Sequence, residues 1–117
     1  MSFTGGRLST ALLSLLAFCF LSAQAQVSAN LSGRVMDPSG AAVPSASVTA
    51  TDTDSGISRS TLTNQAGQYE LFELPVGHYE LHAKKDGFAE KVRTGIFLVV
   101  GQDATADLTL QVGQIKQ

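Results

Sequence analysis

The sequence predicts an all-β protein: a single antiparallel β-sandwich of about seven strands, preceded by a signal peptide. Apolar and polar residues alternate along most of residues 26–117, as in strands with one buried and one solvated face. Turn-forming clusters of Gly, Pro, Asp and Asn recur about every ten residues. No segment of this region sustains a helical period of apolar residues. Short strands separated by frequent turns are typical of sandwiches and small barrels.

Residues 1–25 have the pattern of a secretory signal peptide. Arg7 is the only charged residue among them, and an apolar run over residues 11–21 follows it. Ala23-Gln24-Ala25 then provides the small-x-small cleavage motif. A helix of that run would rise only about 16 Å, roughly half the hydrocarbon thickness, so it is too short to span a membrane. We expect cleavage after Ala25 and export of residues 26–117, as one domain, to the periplasm, the outer membrane or the medium.

Cys19 is the only cysteine and lies within the apolar run. A lipoprotein signal would need a small residue before the cysteine, where this sequence has Phe18. We therefore interpret Cys19 as an ordinary apolar residue of the signal peptide. The exported chain then has no disulfide, and its stability must come from a packed core.

The charge of the exported part argues against two classes of partner. Residues 26–117 contain seven Lys and Arg against ten Asp and Glu, a net charge of −3. Lys84-Lys85 is the only basic cluster among them. We expect no nucleic-acid partner, no affinity for anionic membrane surfaces, and no membrane span after the signal peptide.

The alternation assigns a buried side to most strands. Residues 57–64 are ambiguous, because Ile57 and Leu62 have opposite parity, and their Ser/Thr alternation favours an edge strand. Residues 96–100 do not alternate, which predicts a strand covered on both sides. The predicted core consists of Leu31, Val35, Val48, Tyr69, Leu71, Tyr79, Leu81, Ile96, Leu98, Leu108 and Leu110.

The phrase Gly-x-Tyr-Glu-Leu occurs twice, at residues 67–71 and 77–81. A ten-residue period is too short for a solenoid, whose repeats span about 20–50 residues. We interpret the two copies as consecutive strands, each entered through a glycine turn and each burying a Tyr and a Leu. Phe72 and Leu74 reverse the alternation, so we expect the chain to bend there and cross to the second sheet. Both Tyr hydroxyls are expected to reach backbone partners at the rim of the core.

These phrases, taken in order, resemble the carboxypeptidase regulatory-like domain family. The pattern G-x-V-x-D-x-x-G-x-x-V-P-x-A-x-V begins at Gly33, and G-x-Y-x-L, L-P-x-G-x-Y and G-F follow it. The resemblance covers residues 30–113 and implies a non-catalytic, transthyretin-like sandwich of seven strands. Members stand beside the catalytic domain of some metallocarboxypeptidases and at the N-terminus of bacterial TonB-dependent outer-membrane receptors. They are also grouped with carbohydrate-binding, starch-binding-like folds.

The sequence ends at Gln117 without a receptor plug, barrel strands or a carboxypeptidase zinc motif. We therefore expect either a free-standing module or a fragment of a longer receptor.

Two segments resemble metal sites, and both fall short. His78, Glu80 and His82 share one strand face, but the Cα atoms of the two histidines would lie about 13 Å apart. Two imidazoles on one zinc need both nitrogens about 2 Å from it. Residues 52–56 begin like a calcium loop but have glycine at its fifth position and no closing acidic residue. We expect a solvated face, a turn, and no metal or cofactor.

Catalytic motifs are equally weak. No G-x-S-x-G elbow occurs, no cysteine remains after the signal peptide, and both histidines lie on one strand. The sequence therefore predicts a protein that is not an enzyme.

Binding through loops is the remaining prediction. The candidate partner surface consists of Leu74, Pro75, Val76 and Phe88, which place apolar residues in turns that are normally polar. The alternatives are that Val76 and Phe88 cap the ends of the sandwich, or that a partner strand adds to an edge at residues 43–50 or 58–64. Phe72 and Phe88 are the only candidates for exposed aromatic rings, with packing at the rim of the core as the favoured alternative for each, whereas Phe97 is predicted to be buried.

The sequence thus predicts a non-catalytic accessory or interaction module of the cell envelope, with an envelope protein or a fused receptor as its partner. A carbohydrate-binding module is the alternative.

Overall fold

Strands form where the sequence alternates. The structure, a computed structural model, describes residues 27–113, so the predicted signal peptide lies outside the described residues. Within that range no helix is long and apolar enough to cross a membrane. The strands are β1 Ser28–Met36, β2 Ser47–Asp52, β3 Ser58–Leu62, β4 Gln68–Pro75, β5 Gly77–Lys84, β6 Lys91–Leu98, β7 Asp103–Thr105 and β8 Leu108–Thr109.

The strands form two sheets that pack as a sandwich. The first has the order β4-β1-β7, with β8 also paired to β1, and the second has the order β3-β2-β5-β6. Strands β7 and β8 pair with β1 in parallel, whereas the other pairs are antiparallel. The first sheet is therefore mixed, where the sequence predicted an antiparallel one.

Strands β7 and β8 are two pieces of one C-terminal strand, so the eight segments correspond to the seven predicted strands. Between them, the Ala106 amide donates to the Ser32 carbonyl at 2.8 Å. The Asp107 carboxylate accepts the Arg34 amide at 2.9 Å. Gly33 lies at this junction, where a Cβ atom would be 2.0 Å from the Ala106 carbonyl oxygen. A side chain there would push the C-terminal strand off β1, which explains the glycine.

The predicted core is confirmed, except at one position. Ile96 is half-buried and packs against the core, while the other predicted core residues are buried. The sequence missed several smaller members and Leu74. The buried apolar residues outside the predicted set are Ala29, Val43, Ala46, Ala50, Leu74, Ala83 and Ala106.

The prediction that residues 96–100 are covered on both sides is wrong. Leu98 is buried, but Phe97 is 55% exposed and Val100 is 61% exposed. The reason is the two-layer architecture: each strand has only one face against the core, so Phe97 and Leu98 point to opposite sides of the second sheet. Val99 and Val100 follow the strand and lie in the turn that leads back to the first sheet.

The predicted bend between the two glycine-tyrosine phrases is confirmed. Glu73 has a positive φ of 55° and its amide donates to the Asn30 side chain at 3.0 Å, which places an extra residue in β4. Strand β4 belongs to the first sheet and β5 to the second, with Val76 alone between them. The chain therefore changes sheets at this point.

Both tyrosine hydroxyls bond to backbone carbonyls, as predicted. Tyr69 donates to the Ala106 carbonyl, and Tyr79 donates to the Pro75 carbonyl at 2.6 Å. The first bond ties β4 to the junction of the C-terminal strand, and the second ties β5 to the crossing turn.

Of the two predicted edges, one is confirmed. β3 is an outer strand of the second sheet, but β2 lies between β3 and β5, so residues 43–50 do not form an edge. The Ser/Thr alternation of β3 makes a hydroxyl ladder with β2, in which Ser60 contacts Thr49 at 2.7 Å and Ser58 contacts Thr51 at 2.9 Å.

Candidate functional site

The four residues predicted to contact a partner do not lie on one surface. The turn of Pro75 and Val76 precedes β5 and Phe88 follows it, so about 26 Å of strand separates the two loops. Leu74 is only 1% exposed and belongs to the core. It is buried because the extra residue in β4 turns its side chain inward. We therefore remove Leu74 from the candidate surface.

The remaining three residues divide between the two ends of the sandwich. Pro75 is exposed and Val76 half-buried at one end. At the other end, Phe88 is half-buried, packs against the core and forms a β-bridge with Val112. Its ring therefore has a packing role, whatever else it contacts.

An open groove of about 420 Å³ lies beside Phe88. Its lining includes Lys84 and Lys85 together with Asp86 and Glu90, so its formal charges balance. Its other lining residues are Ser45, which has a positive φ of 56°, and Ser47. This mixture of ammonium, carboxylate and hydroxyl groups around one aromatic ring suits a polar ligand or a peptide rather than an anion.

One wall of this groove is held by an ionic network. Glu90 contacts His82 Nδ1 at 2.9 Å and Lys84 Nζ at 3.8 Å. The His82 hydrogen bond is the main reason that the pKa of Glu90 is lowered, with the Lys84 charge contributing further. His82 also lies 3.5 Å from Glu80. The network is exposed, so it orients the wall more than it stabilises the fold.

The two histidines have separate neighbours. The His78 ring packs against Phe97 with centroids 4.6 Å apart, while His82 sits between two glutamates. Among residues 27–113 no group of three or more His, Cys, Asp or Glu side chains is arranged to hold a metal ion.

Residues 52–56 form the predicted turn. The Asp52 carboxylate accepts the amides of Asp54 at 2.9 Å and Ser55 at 3.2 Å. Gly56 follows with a positive φ of 78°. The aspartate is thus used to close the turn.

Within residues 27–113 two phenylalanines are exposed, and only one of them was a candidate from the sequence. Phe72 on β4, the candidate, is 58% exposed and does not pack at the rim, and Phe97 on β6 is 55% exposed. Sequence reasoning missed Phe97 because its apolar neighbours hid the alternation. Together with His78, Phe97 forms an aromatic pair on the outer face of the second sheet.

Comparison with protein families identifies the module. The model of the carboxypeptidase regulatory-like domain matches residues 30–111. The chain belongs to the carboxypeptidase regulatory-like domain family. Carboxypeptidase regulatory-like domains are non-catalytic β-sandwich modules, and the two sheets described above have that architecture. Comparison of the sequence with curated proteins finds no significant match.

Solved structures share the fold with this carboxypeptidase regulatory-like domain. The TIE protein of Bacillus anthracis is 19% identical, with a TM-score of 0.61 over 74% of this chain and 17% of its own. Catechol 1,2-dioxygenase of Acinetobacter radioresistens is 11% identical, with a TM-score of 0.62 over 80% of this chain and 54% of its own.

A chain of the cohesin–X-dockerin complex from Acetivibrio cellulolyticus is 14% identical, with a TM-score of 0.55 over 73% of this chain and 58% of its own. The domain therefore corresponds to only part of each of these proteins. At these identities the likeness shows the fold alone.

Proposed function

We propose that this chain is an exported, non-catalytic interaction module of the cell envelope, of the kind that extends the N-terminus of TonB-dependent receptors. The observation that carries the proposal is the pairing of a signal-peptide pattern in residues 1–25 with a carboxypeptidase regulatory-like match over residues 30–111. We expect an exported domain of this family to act by contacting other proteins rather than by catalysis.

The polar groups of the domain support a binding role. His78 and His82 are engaged by Phe97 and by two glutamates, and Asp52 closes a turn. Three exposed features are suited to contact: the open edge of β3, the rings of Phe72 and Phe97, and the groove beside Phe88.

A reporter fusion tests the proposal. We expect the full chain, fused at its C-terminus to an alkaline phosphatase that is active only outside the cytoplasm, to give active enzyme. Leu13→Arg in the apolar run should abolish that activity, because a charge there prevents export. The matched control is Leu62→Arg, which changes the same residue type at a side chain 64% exposed on the folded domain. An inactive wild-type fusion, or equal activity in all three, would contradict export.

A carbohydrate-binding module is the second candidate, and the pair formed by His78 and Phe97 favours it. Exposed aromatic rings stack on sugar rings, and two polar side chains lie beside this pair: the Thr53 hydroxyl donates to the His78 carbonyl at 3.3 Å, and Glu80 shares a face of β5 with His78. Affinity electrophoresis through gels containing soluble starch separates the two candidates. Retardation that Phe97→Ala removes and Phe72→Ala preserves would favour the sugar; no retardation of the wild type would favour the protein-contact module.

A further inference from the structure

Strand β3 is an open edge whose outward backbone groups have no strand beside them. It pairs with β2 alone. The Thr63 amide donates to the Ala46 carbonyl, and at the other end the Asp52 amide donates to the Ile57 carbonyl. Because these bonds fix the alternation of the antiparallel ladder, every second residue of β3 directs its N–H and C=O groups away from β2. Those residues are Ser58, Ser60 and Leu62.

The other outer strand of the second sheet is protected against pairing with another chain. β6 carries Lys91 and Arg93, and Gly95 interrupts it with a positive φ of 77°. Charges and irregular backbone are the features by which natural sheets block their edges.

The outer strands of the first sheet are protected as well. Arg59 covers β4 by donating to the carbonyls of Phe72 at 2.7 Å and Glu73 at 3.2 Å. On the opposite side, β7 has only three residues and β8 only two. β3 has no proline, lysine or bulge, and its single charge, Arg59, is occupied on β4. Among the described strands β3 is thus the unprotected edge.

We propose that β3 pairs antiparallel with β3 of a second copy of this chain, about a two-fold axis at Ser60. In this register Ser60 lies opposite its own counterpart, and Ser58 lies opposite Leu62 of the second copy. The outward donors and acceptors of both strands then meet, which gives about six inter-chain hydrogen bonds. The contact is self-complementary and closes as a dimer, in which the two second sheets become one continuous sheet.

The side chains of β3 suit this pairing. Arg59 lies opposite Thr61 of the second copy, so no charge on β3 meets its like. Leu62 and Phe72, 64% and 58% exposed, line a groove of about 280 Å³ beside the edge. Dimerisation would cover part of this apolar surface. An extended peptide from another protein would use the same backbone groups, but only a second copy requires the symmetric register.

The dimer is expected to be weak. A five-residue edge buries less than the area of a standard interface, which places its Kd on the order of 10–100 μM. Sedimentation equilibrium of the purified protein should therefore show the mass rising from one chain toward two across this range.

Two lysine variants test the proposed pairing of β3 with a second β3. They are matched because each removes one partner of the same hydroxyl contact. Ser60→Lys places two like charges opposite each other at the axis, and Thr49→Lys places the same charge one strand inward on the same face. Both lose the 2.7 Å contact between Thr49 and Ser60. Ser60→Lys should raise the Kd at least tenfold while Thr49→Lys leaves it near the wild-type value. Mixing Ser60→Lys with Ser60→Glu in equal amounts should restore the dimer.

Several results would overturn the proposal: a wild type that is monomeric throughout, a Ser60→Lys dimer of wild-type strength, or equal weakening by Thr49→Lys. Thermal melts identify any variant that fails to fold. In that case Ser60→Pro replaces Ser60→Lys, because it removes an outward amide and leaves the bonds of β3 to β2 in place. Self-association goes beyond the proposed function and needs no envelope partner. A monomeric chain would overturn it and leave the envelope role untouched.

Discussion

At the scale of single residues, the hydroxyl of Tyr69 forms a buried hydrogen bond that links β4 to the C-terminal strand. It donates to the Ala106 carbonyl in a part of the core where Tyr69 is 2% exposed. Burial raises the pKa of Tyr69 to about 12, and the Asp107 carboxylate adds to the shift while Arg93 opposes it. The folded chain therefore strongly prefers the protonated, donating form.

Tyr69→Phe should lower the free energy of unfolding at neutral pH by about 1–3 kcal/mol, because the Ala106 carbonyl loses its donor. It should also change the alkaline profile. The unfolded chain releases this proton near pH 10, and the folded chain holds it until about pH 12. The wild type thus loses stability as the pH rises through that window, and below it the contribution is fully present.

Urea unfolding between pH 7 and 12 checks this, with Tyr79→Phe as the control. The pKa of Tyr79 is also raised, mainly by burial, but its hydroxyl is less deeply buried. Tyr69→Phe should flatten the alkaline decline more than Tyr79→Phe does. An unchanged decline in Tyr69→Phe would refute the role given to this hydroxyl.

A substitution of Phe88 tests whether its ring packs against the core or contacts a partner at the end of the sandwich. Because its half-buried ring packs against the core, we expect Phe88→Ser to lower the melting temperature by several degrees, about 1 kcal/mol or more for a domain of this size. The exposed Phe72 is the control, and Phe72→Ser should change the melting temperature little. An unchanged melting temperature for Phe88→Ser would return its ring to the candidate contact surface.

At the scale of the elements, two glycines with similar positive φ values differ in their surroundings. Comparing them distinguishes the cost of the left-handed conformation from the cost of a steric clash. Gly67, which precedes β4, has φ of 75°, and a Cβ atom there would lie 2.6 Å from the Val35 carbonyl oxygen. Gly56 has φ of 78° with nothing within 4 Å of its Cβ position. The first glycine is needed for close approach to β1 as well as for its conformation.

Gly56→Ala should cost about 1–2 kcal/mol, the penalty of the left-handed conformation alone. Gly67→Ala should cost more, on the order of 3 kcal/mol or above, because the new methyl group also displaces β1 from the turn. Denaturant unfolding of both variants measures the difference. Equal costs would mean that the turn before β4 yields without disturbing β1.

The alternation of apolar and polar residues predicted the strands that have one buried face. It did not predict which residues are buried in the other strands. Strands β4 and β5 have a buried Tyr and Leu at every second position, so their extent and facing could be predicted. Strand β3 is exposed over nearly its whole length and has no alternation of apolar with polar residues to detect. Residues 96–100 are apolar although only Leu98 is buried, so composition alone overstated their burial.

Two features could not be predicted because they depend on the topology of the fold. They are the pairing direction of the C-terminal strand and the location of the candidate loops. A period of two is the same in parallel and antiparallel strands, so the parallel pairing of β7 and β8 with β1 left no mark in the sequence. The reversed alternation at Phe72 and Leu74 marked the bend, but the inward direction of the Leu74 side chain depends on the extra residue at Glu73. The exposure of Phe97 was missed because its apolar neighbours in residues 96–100 hid the alternation of β6.

At the scale of the whole molecule, the described residues contain their own core. Both sheets contribute side chains to one buried cluster. Ser28 lies opposite Pro75 at one end of the sandwich, and the Gly113 amide bonds to the Gly87 carbonyl at the other. The described chain therefore begins at the end of the sandwich away from the groove beside Phe88.

The central claim is that this family member is an exported module, and the most direct measurement is the N-terminal sequence of the protein recovered from each compartment of a producing bacterium. The account predicts a chain that begins at Gln26, or within a residue or two of it, in the periplasmic, outer-membrane or culture fraction. A folded chain that keeps Leu12 to Leu21 and remains in the cytoplasm would contradict it.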